Sequence, residues 1–114
     1  MKSEHVERLT TLLHQTRPRL STGYEVEFKN CFGAVAGYID GRIFISCGKF
    51  GVALRLPQKR LNALMAEPDV APLRYFPKGH IKKEYAVLPE RILSDKVRLK
   101  KLIDSSIKYA VSSS

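Results

Sequence analysis

The first apolar pattern in the chain has the period of a helix. Ser3 can cap a helix that Pro18 ends. Between these two residues, apolar and small side chains recur on one helical face: Val6, Leu9, Leu12, Leu13 and Thr16. The spacing predicts an amphipathic N-terminal helix that packs one face against the rest of the domain.

The pattern then changes to alternation. Residues 24–29 alternate between apolar and charged side chains, which predicts a half-buried strand. Asp40-Gly41 lies between two apolar runs, and Asp-Gly is a strong signal for a type I′ hairpin because both turn residues need positive φ. We therefore predict strands at about 34–39 and 42–47.

The hairpin register assigns the faces of its second strand. Tyr38 is expected opposite Ile43, so that Ile43, Ile45 and Cys47 form the core face and Arg42, Phe44 and Ser46 point outward. A large apolar side chain on a solvated face often marks a contact. Phe44, with Arg42 beside it, is therefore our candidate contact for a second copy of the chain.

The remaining pattern completes the fold. It predicts a strand over 52–56, a helix that starts at Pro57 and ends before Pro68, and two short strands at about 73–76 and 84–88 joined by a cationic turn. Ser94 or Asp95 can cap a closing helix with one apolar face: Leu99, Leu102, Ile103, Ser106 and Ala110. The order α-β-β-β(-β)-α-β-β-α predicts a two-layer α+β fold, with a mostly antiparallel sheet packed against helices. We expect one domain over residues 1–114, with residues 112–114 as a frayed tail.

Charge is unevenly distributed along the chain. The formal net charge is +9, and residues 74–101 hold nine basic residues against three acidic ones. Such a region can attract nucleic acid or an acidic partner protein, although a solvated surface has the same composition. The candidate binding residues are Lys78, His80, Lys82, Lys83, Arg98 and Lys101.

The sequence contains none of the common catalytic motifs for phosphate binding, zinc hydrolysis or a serine nucleophile. His5, His14 and His80 lack the spacing of metal ligands, and Cys31 and Cys47 lack a Cys-x-x-Cys context. We expect no catalytic residue, metal or cofactor, and buried thiols that behave as small apolar residues. An enzyme with an anion grip built from Lys29, Arg42 and Arg55 is the more distant alternative.

The expected location of the protein follows from three features that the sequence lacks. The N-terminus carries acids and no apolar run, no stretch reaches the length of a membrane span, and two cysteines are too few for a secreted disulfide scaffold. We expect a cytoplasmic protein without a membrane partner.

Residues 30–44 resemble the hallmark segment of the TfoX (Sxy) N-terminal domain family: an aromatic-Gly step, a short strand, then Asp-Gly followed by a basic residue and an apolar-Phe pair. Further similar segments follow in the family's order: 51–56, 72–76, 85–90 and 105–110. The likeness covers about residues 5–111. It departs at residues 31–34, which read Cys-Phe-Gly-Ala where the family usually has Met-Phe-Gly-Gly.

The resemblance implies a two-layer α+β fold and a link to the regulation of natural competence for DNA uptake, in which such proteins act as co-activators. It implies no catalytic residue set. Regulators of the full type also carry a helical C-terminal domain, so this chain is expected to be a stand-alone N-terminal domain. The leading hypothesis is a non-enzymatic regulatory or adaptor domain that binds another protein or itself. The second is nucleic-acid binding through residues 74–101.

Overall fold

A computed structural model of the chain describes residues 4–31, 33–74 and 80–112, apart from the side chains of Ser21 and Cys31. Six strands form one sheet: β1 Val26–Cys31, β2 Ala34–Ile39, β3 Arg42–Gly48, β4 Gly51–Arg55, β5 Ala71–Leu73 and β6 Lys82–Leu88. Their order is β1-β2-β3-β4-β6-β5, and every neighbouring pair is antiparallel.

The helices of the described residues are α1 Glu4–Thr16, α2 Leu20–Gly23, α3 Gln58–Met65, α4 Glu90–Leu93 and α5 Lys96–Ser112. α1 and α5 contact β2 and β3, and α3 contacts β6. The predicted α+β class and the order of the longer elements are confirmed. The sequence pattern missed α2 and α4, because four residues are too few to show a helical period. It also placed β5 too late: the strand predicted at 73–76 lies at Ala71–Leu73, Arg74 is outside it, and residues 75–76 lie outside the described residues.

The two long helices bury the faces that their spacing predicts. Leu9, Leu13 and Thr16 are buried on α1, whereas Val6 and Leu12 of the predicted face are half-buried against the same core. On α5 the buried set includes every predicted residue and Ile107: Leu99, Leu102, Ile103, Ser106, Ile107 and Ala110. Asp95 caps α5, since its Oδ1 accepts a 3.1 Å hydrogen bond from the Arg98 backbone N–H. No helix among the described residues is both long and apolar enough to cross a bilayer.

The central hairpin has the predicted turn. Asp40 and Gly41 both have positive φ, at 48° and 80°, as a type I′ turn requires. Tyr38 lies opposite Ile43 as expected, but the next pair is Gly37 with Ile45. Phe44 is thus an extra residue on β3, and the ladder contains a β-bulge.

The bulge overturns the predicted faces of β3. Phe44 is fully buried in the same apolar core as Ile45, whereas Ile43 is only half-buried. An extra residue breaks the strict alternation of a strand, so consecutive side chains reach the core side. The prediction that Phe44 is an exposed dimer contact is therefore wrong. Arg42 lies half-buried at the start of β3, next to the turn.

The predicted outer face also differs at its centre. Ser46 is fully buried there, and its hydroxyl donates a 3.3 Å hydrogen bond to the Val35 carbonyl oxygen. Its neighbours across the sheet are Ala36 and Ala53, both buried. Small side chains occupy this part of the face, so bulkier side chains can lie over them. The ring of Phe50 is such a neighbour, because a Cβ added to Gly48 would lie 2.8 Å from that ring.

Candidate interaction surfaces

The predicted basic surface divides between separate elements. His80, Lys82 and Lys83 are exposed at and just before the start of β6, and Ile81 between them is 48% exposed. Lys78 lies outside the described residues. Lys101 is exposed on α5, where it lines a groove of about 170 Å³ between α3 and α5.

Arg98 is engaged within the domain. Its Nη1 lies 3.1 Å from Glu67 Oε1, and a second contact joins its Nη2 to the other Glu67 oxygen. Arg91 Nη2 lies 2.8 Å from Glu67 Oε1 and 2.6 Å from Asp69 Oδ1. Hydrogen bonds from Arg98 and then Arg91 lower the pKa of Glu67, and the bond from Arg91 lowers the pKa of Asp69. The network links the segment after α3 to α4 and α5.

A second polar cluster joins β4, β6 and α5. Tyr109 donates its hydroxyl hydrogen to Glu84 Oε1, and Arg55 Nε lies 3.4 Å from Glu84 Oε2. The Arg55 guanidinium also lies 4.8 Å from the centre of the Tyr109 ring, a cation–π geometry. Each member thus contacts the other two, which fixes the end of α5 against the sheet.

Glu84 in this cluster has a strained backbone. Its φ is 76°, a left-handed conformation that costs a residue with a side chain on the order of 1–3 kcal/mol. Its carbonyl oxygen accepts a 2.7 Å hydrogen bond from the Leu56 N–H. The hydrogen bond from Tyr109 lowers the pKa of Glu84, and the same bond raises the pKa of Tyr109. Sequence analysis missed this cluster, because its members come from three distant segments and no local motif marks them.

Cys47 is a fully buried free thiol on β3. Its Sγ lies 3.7 Å from Nδ1 of His5 on α1. Burial raises the pKa of the Cys47 thiol, more than the nearby Arg8 lowers it. A raised pKa keeps the sulfur protonated and weakly nucleophilic, as the prediction of a small apolar thiol requires. The side chain of Cys31 lies outside the described residues.

The two edges of the sheet differ in how open they are. β5 has only three residues, and Pro72 is one of them, so little backbone is available for pairing there. β1 has six residues, and its ladder with β2 runs without a register shift. Beside β1 lies a groove of about 260 Å³ whose apolar lining includes Leu13, Leu20, Val26 and Phe28. The open edge of β1 and this groove together form a candidate contact surface of the described residues.

A family profile matches most of the chain. The profile of the TfoX N-terminal domain matches residues 19–110. The chain belongs to the TfoX N-terminal domain family. No curated protein and no solved structure matches the chain. The TfoX N-terminal domain match spans all six strands, α2, α3, α4 and most of α5, whereas α1 precedes it.

The matched region therefore contains the Glu67–Arg98 network, the Glu84–Tyr109 cluster and the open edge of β1. The resemblance found in residues 30–44 is confirmed. The contact between His5 and Cys47 attaches α1 to the TfoX N-terminal domain proper.

Proposed function

We propose that this chain is a non-enzymatic regulatory domain that acts in the cytoplasm through contacts with other proteins, in the control of competence or transcription. The observation that carries the proposal is the match to the TfoX N-terminal domain over residues 19–110. The resemblance of residues 30–44 to the family's hallmark segment supports the same biology.

The use of charged side chains in the fold supports an adaptor rather than a reaction centre. Glu67 bridges Arg91 and Arg98, and Glu84 is held by Tyr109 and Arg55. Each carboxylate in these clusters has a lowered pKa, which favours a permanent charge that braces neighbouring elements over a group that exchanges protons near neutral pH. A braced domain presents a surface of fixed shape, which lowers the entropic cost of binding.

The regulatory role is tested in the cells from which the chain comes. Removal of the gene should lower the transcripts of DNA-uptake genes, and the wild-type gene should restore them. A tagged chain purified from the same cytoplasm should retain its partner protein after nuclease treatment. Unchanged transcripts in the deletion strain would contradict the regulatory proposal.

Nucleic-acid binding is the second candidate, because His80, Lys82 and Lys83 are exposed close together. Contacts to phosphates would make the affinity fall steeply with salt through counterion release. Changing Lys78, Lys82 and Lys83 to alanine should then weaken binding to every DNA or RNA sequence alike. Arg98→Ala is the comparison for this triple variant, because the Arg98 charge is already paired with Glu67 and is less available to a phosphate. No binding at low salt would reject this candidate.

A further inference from the structure

We propose that two copies of this chain associate through β1, which pairs antiparallel with β1 of the second copy in a register centred on Phe28. The sheet then runs continuously from one copy into the other. This self-association is independent of the regulatory role proposed above and is measured on the purified chain, so either proposal can fail alone.

The first argument is the direction of the β1 backbone groups. The Asp40 N–H donates a 2.8 Å hydrogen bond to the Glu25 carbonyl oxygen, in the same register as the β1–β2 ladder. In an antiparallel strand, every second residue directs its backbone N–H and C=O groups to the same neighbouring strand. The backbone groups of Glu27 and Lys29 therefore also point to β2. The N–H and C=O groups of Val26, Phe28 and Asn30 consequently point to the open edge. They are the groups that pair with an added strand.

The second argument is that β1 lacks most of the features that protect an edge. Its six residues contain no proline, and its ladder with β2 has no bulge. The opposite edge, β5, is short and contains Pro72. The charged side chains of β1, Glu27 and Lys29, are exposed, and such charges normally discourage pairing with another strand.

The third argument is that these charges select one register. Pairing centred on Phe28 places Glu27 of each copy opposite Lys29 of the other, on the same face. Moving the centre to Glu27 places the two Glu27 side chains opposite each other, although Lys29 then lies opposite Glu25, just before β1. Moving it to Lys29 places the two lysines opposite each other. Only the Phe28-centred register pairs the charges of β1 without a like-charge contact. Opposite charges across a strand pair stabilise it and like charges destabilise it. The sequence of β1 is therefore complementary to itself in the Phe28-centred register.

The fourth argument is the apolar side of the strand. Phe28 is half-buried and lies over Gly37 on β2, since a Cβ added to Gly37 would be 3.3 Å from the Phe28 ring. It also lines the groove beside the edge. In the proposed register the two Phe28 side chains are direct neighbours between the two grooves, so each removes part of the other's ring from water. About six backbone hydrogen bonds accompany this contact.

Sedimentation velocity of the purified chain tests the association. An interface formed by one six-residue strand from each copy is small, and we expect a dissociation constant in the micromolar range. The dimer should therefore appear at protein concentrations between about 1 and 100 µM. Glu27→Lys and Lys29→Glu should each weaken the dimer about tenfold or more, because each creates two like-charge pairs. The double variant carrying both changes should restore the wild-type association, since it re-creates opposite pairs.

A second pair of variants tests the backbone contact. Asn30→Pro removes an N–H that points to the open edge and should leave the domain folded but monomeric. Asn30→Ala, the matched control, keeps that N–H and should still dimerise. Circular dichroism confirms the fold of each variant.

Amide exchange gives a readout at residue level. The amides of Val26, Phe28 and Asn30 should become protected as the concentration rises, whereas those of Glu27 and Lys29 should be protected at every concentration. A wild type that stays monomeric throughout, or a dimer that Asn30→Pro and the single charge reversals leave unchanged, would overturn the proposal.

Discussion

The hydroxyl of Ser106 donates a 2.6 Å hydrogen bond to the carbonyl oxygen of Phe44, which lies 62 positions earlier in the chain. Both residues are fully buried. Phe44 is the extra residue of the β3 bulge, where the regular ladder between β2 and β3 is interrupted. The bond therefore joins α5 to the irregular point of the sheet and gives a buried carbonyl a donor.

We expect Ser106→Ala to lower the free energy of unfolding by about 1–3 kcal/mol, the usual cost of leaving a buried polar group without its partner. Urea denaturation followed by circular dichroism measures the change. The matched control is Ser105→Ala, the same substitution at a half-buried neighbour on α5. The control should change stability by less than about 0.5 kcal/mol. Equal effects of the two substitutions would show that the Ser106 bond contributes nothing.

Phe44 itself should be essential for stability rather than for association. Phe44→Ala should cost about 3–5 kcal/mol, because it leaves a cavity in the core. A loss of that size unfolds a large fraction of a marginally stable domain. Arg42→Ala, at the half-buried start of the same strand, should leave the domain folded. Thermal unfolding of both variants makes the comparison, and a fully stable Phe44→Ala protein would contradict the burial described above.

The hairpin shows where sequence reasoning succeeds and where it stops. The turn was predictable because Asp40-Gly41 satisfies a local backbone requirement, positive φ at two adjacent residues. The bulge was not, since residues 43–45 are all apolar and are compatible with either face. The size of Phe44 was the one feature of the sequence that indicated its burial. An aromatic side chain is stabilised far more by burial than by a solvated position, and only a broken alternation allows Phe44 and Ile45 to reach the core together.

Gly37, opposite Ile45, provides a test of the register in this region. A Cβ added to Gly37 would lie 2.6 Å from Ile45 Cγ2 and 3.3 Å from the Phe28 ring. Ile45 is fully buried and has little room to move. Gly37→Ala should therefore lower the free energy of unfolding by about 1–3 kcal/mol through overpacking.

Gly23 is the matched control for this substitution. A Cβ added there has nothing within 4 Å. Gly23→Ala should be neutral, or should stabilise the domain by up to about 1 kcal/mol, because it reduces the freedom of the unfolded chain. Urea denaturation of the two variants measures the difference. A Gly37→Ala protein as stable as Gly23→Ala would mean that Gly37 and Ile45 are not in contact.

Charges were harder to interpret from the sequence than apolar positions. The basic character of residues 74–101 is a property of composition, but the partners of Arg98 are set by the fold. Arg98 pairs with Glu67, 31 positions away. Asp104 pairs with Arg17, 87 positions away, although Lys108 lies only four positions further along α5. Local spacing cannot reveal such contacts, because they exist only once α1, α3 and α5 have packed.

The Glu84–Tyr109 hydrogen bond should make the stability of the domain depend on pH at both ends of the scale. The pKa of Glu84 is lowered, so its stabilising contribution is complete above the unfolded value of about 4.3 and is lost as the pH falls through the lower folded pKa. The pKa of Tyr109 is raised, so its contribution is complete below about pH 10 and is lost as the pH rises through the higher folded pKa.

Tyr109→Phe tests both arms of this dependence, because it removes the largest cause of the Glu84 shift and the titrating phenol together. We expect the variant to be less stable than the wild type near neutral pH, and the difference in the free energy of unfolding to narrow toward acid and toward strong alkali. Urea denaturation at a series of pH values between about 3 and 11 covers both unfolded pKa values. Tyr24→Phe is the control, because it removes a hydroxyl just before β1, and β2, β3 and β4 lie between β1 and the Glu84 strand β6 in the sheet. This variant should give a profile parallel to the wild type. If the Tyr109→Phe profile is also parallel, the hydrogen bond to Glu84 does not couple proton binding to folding.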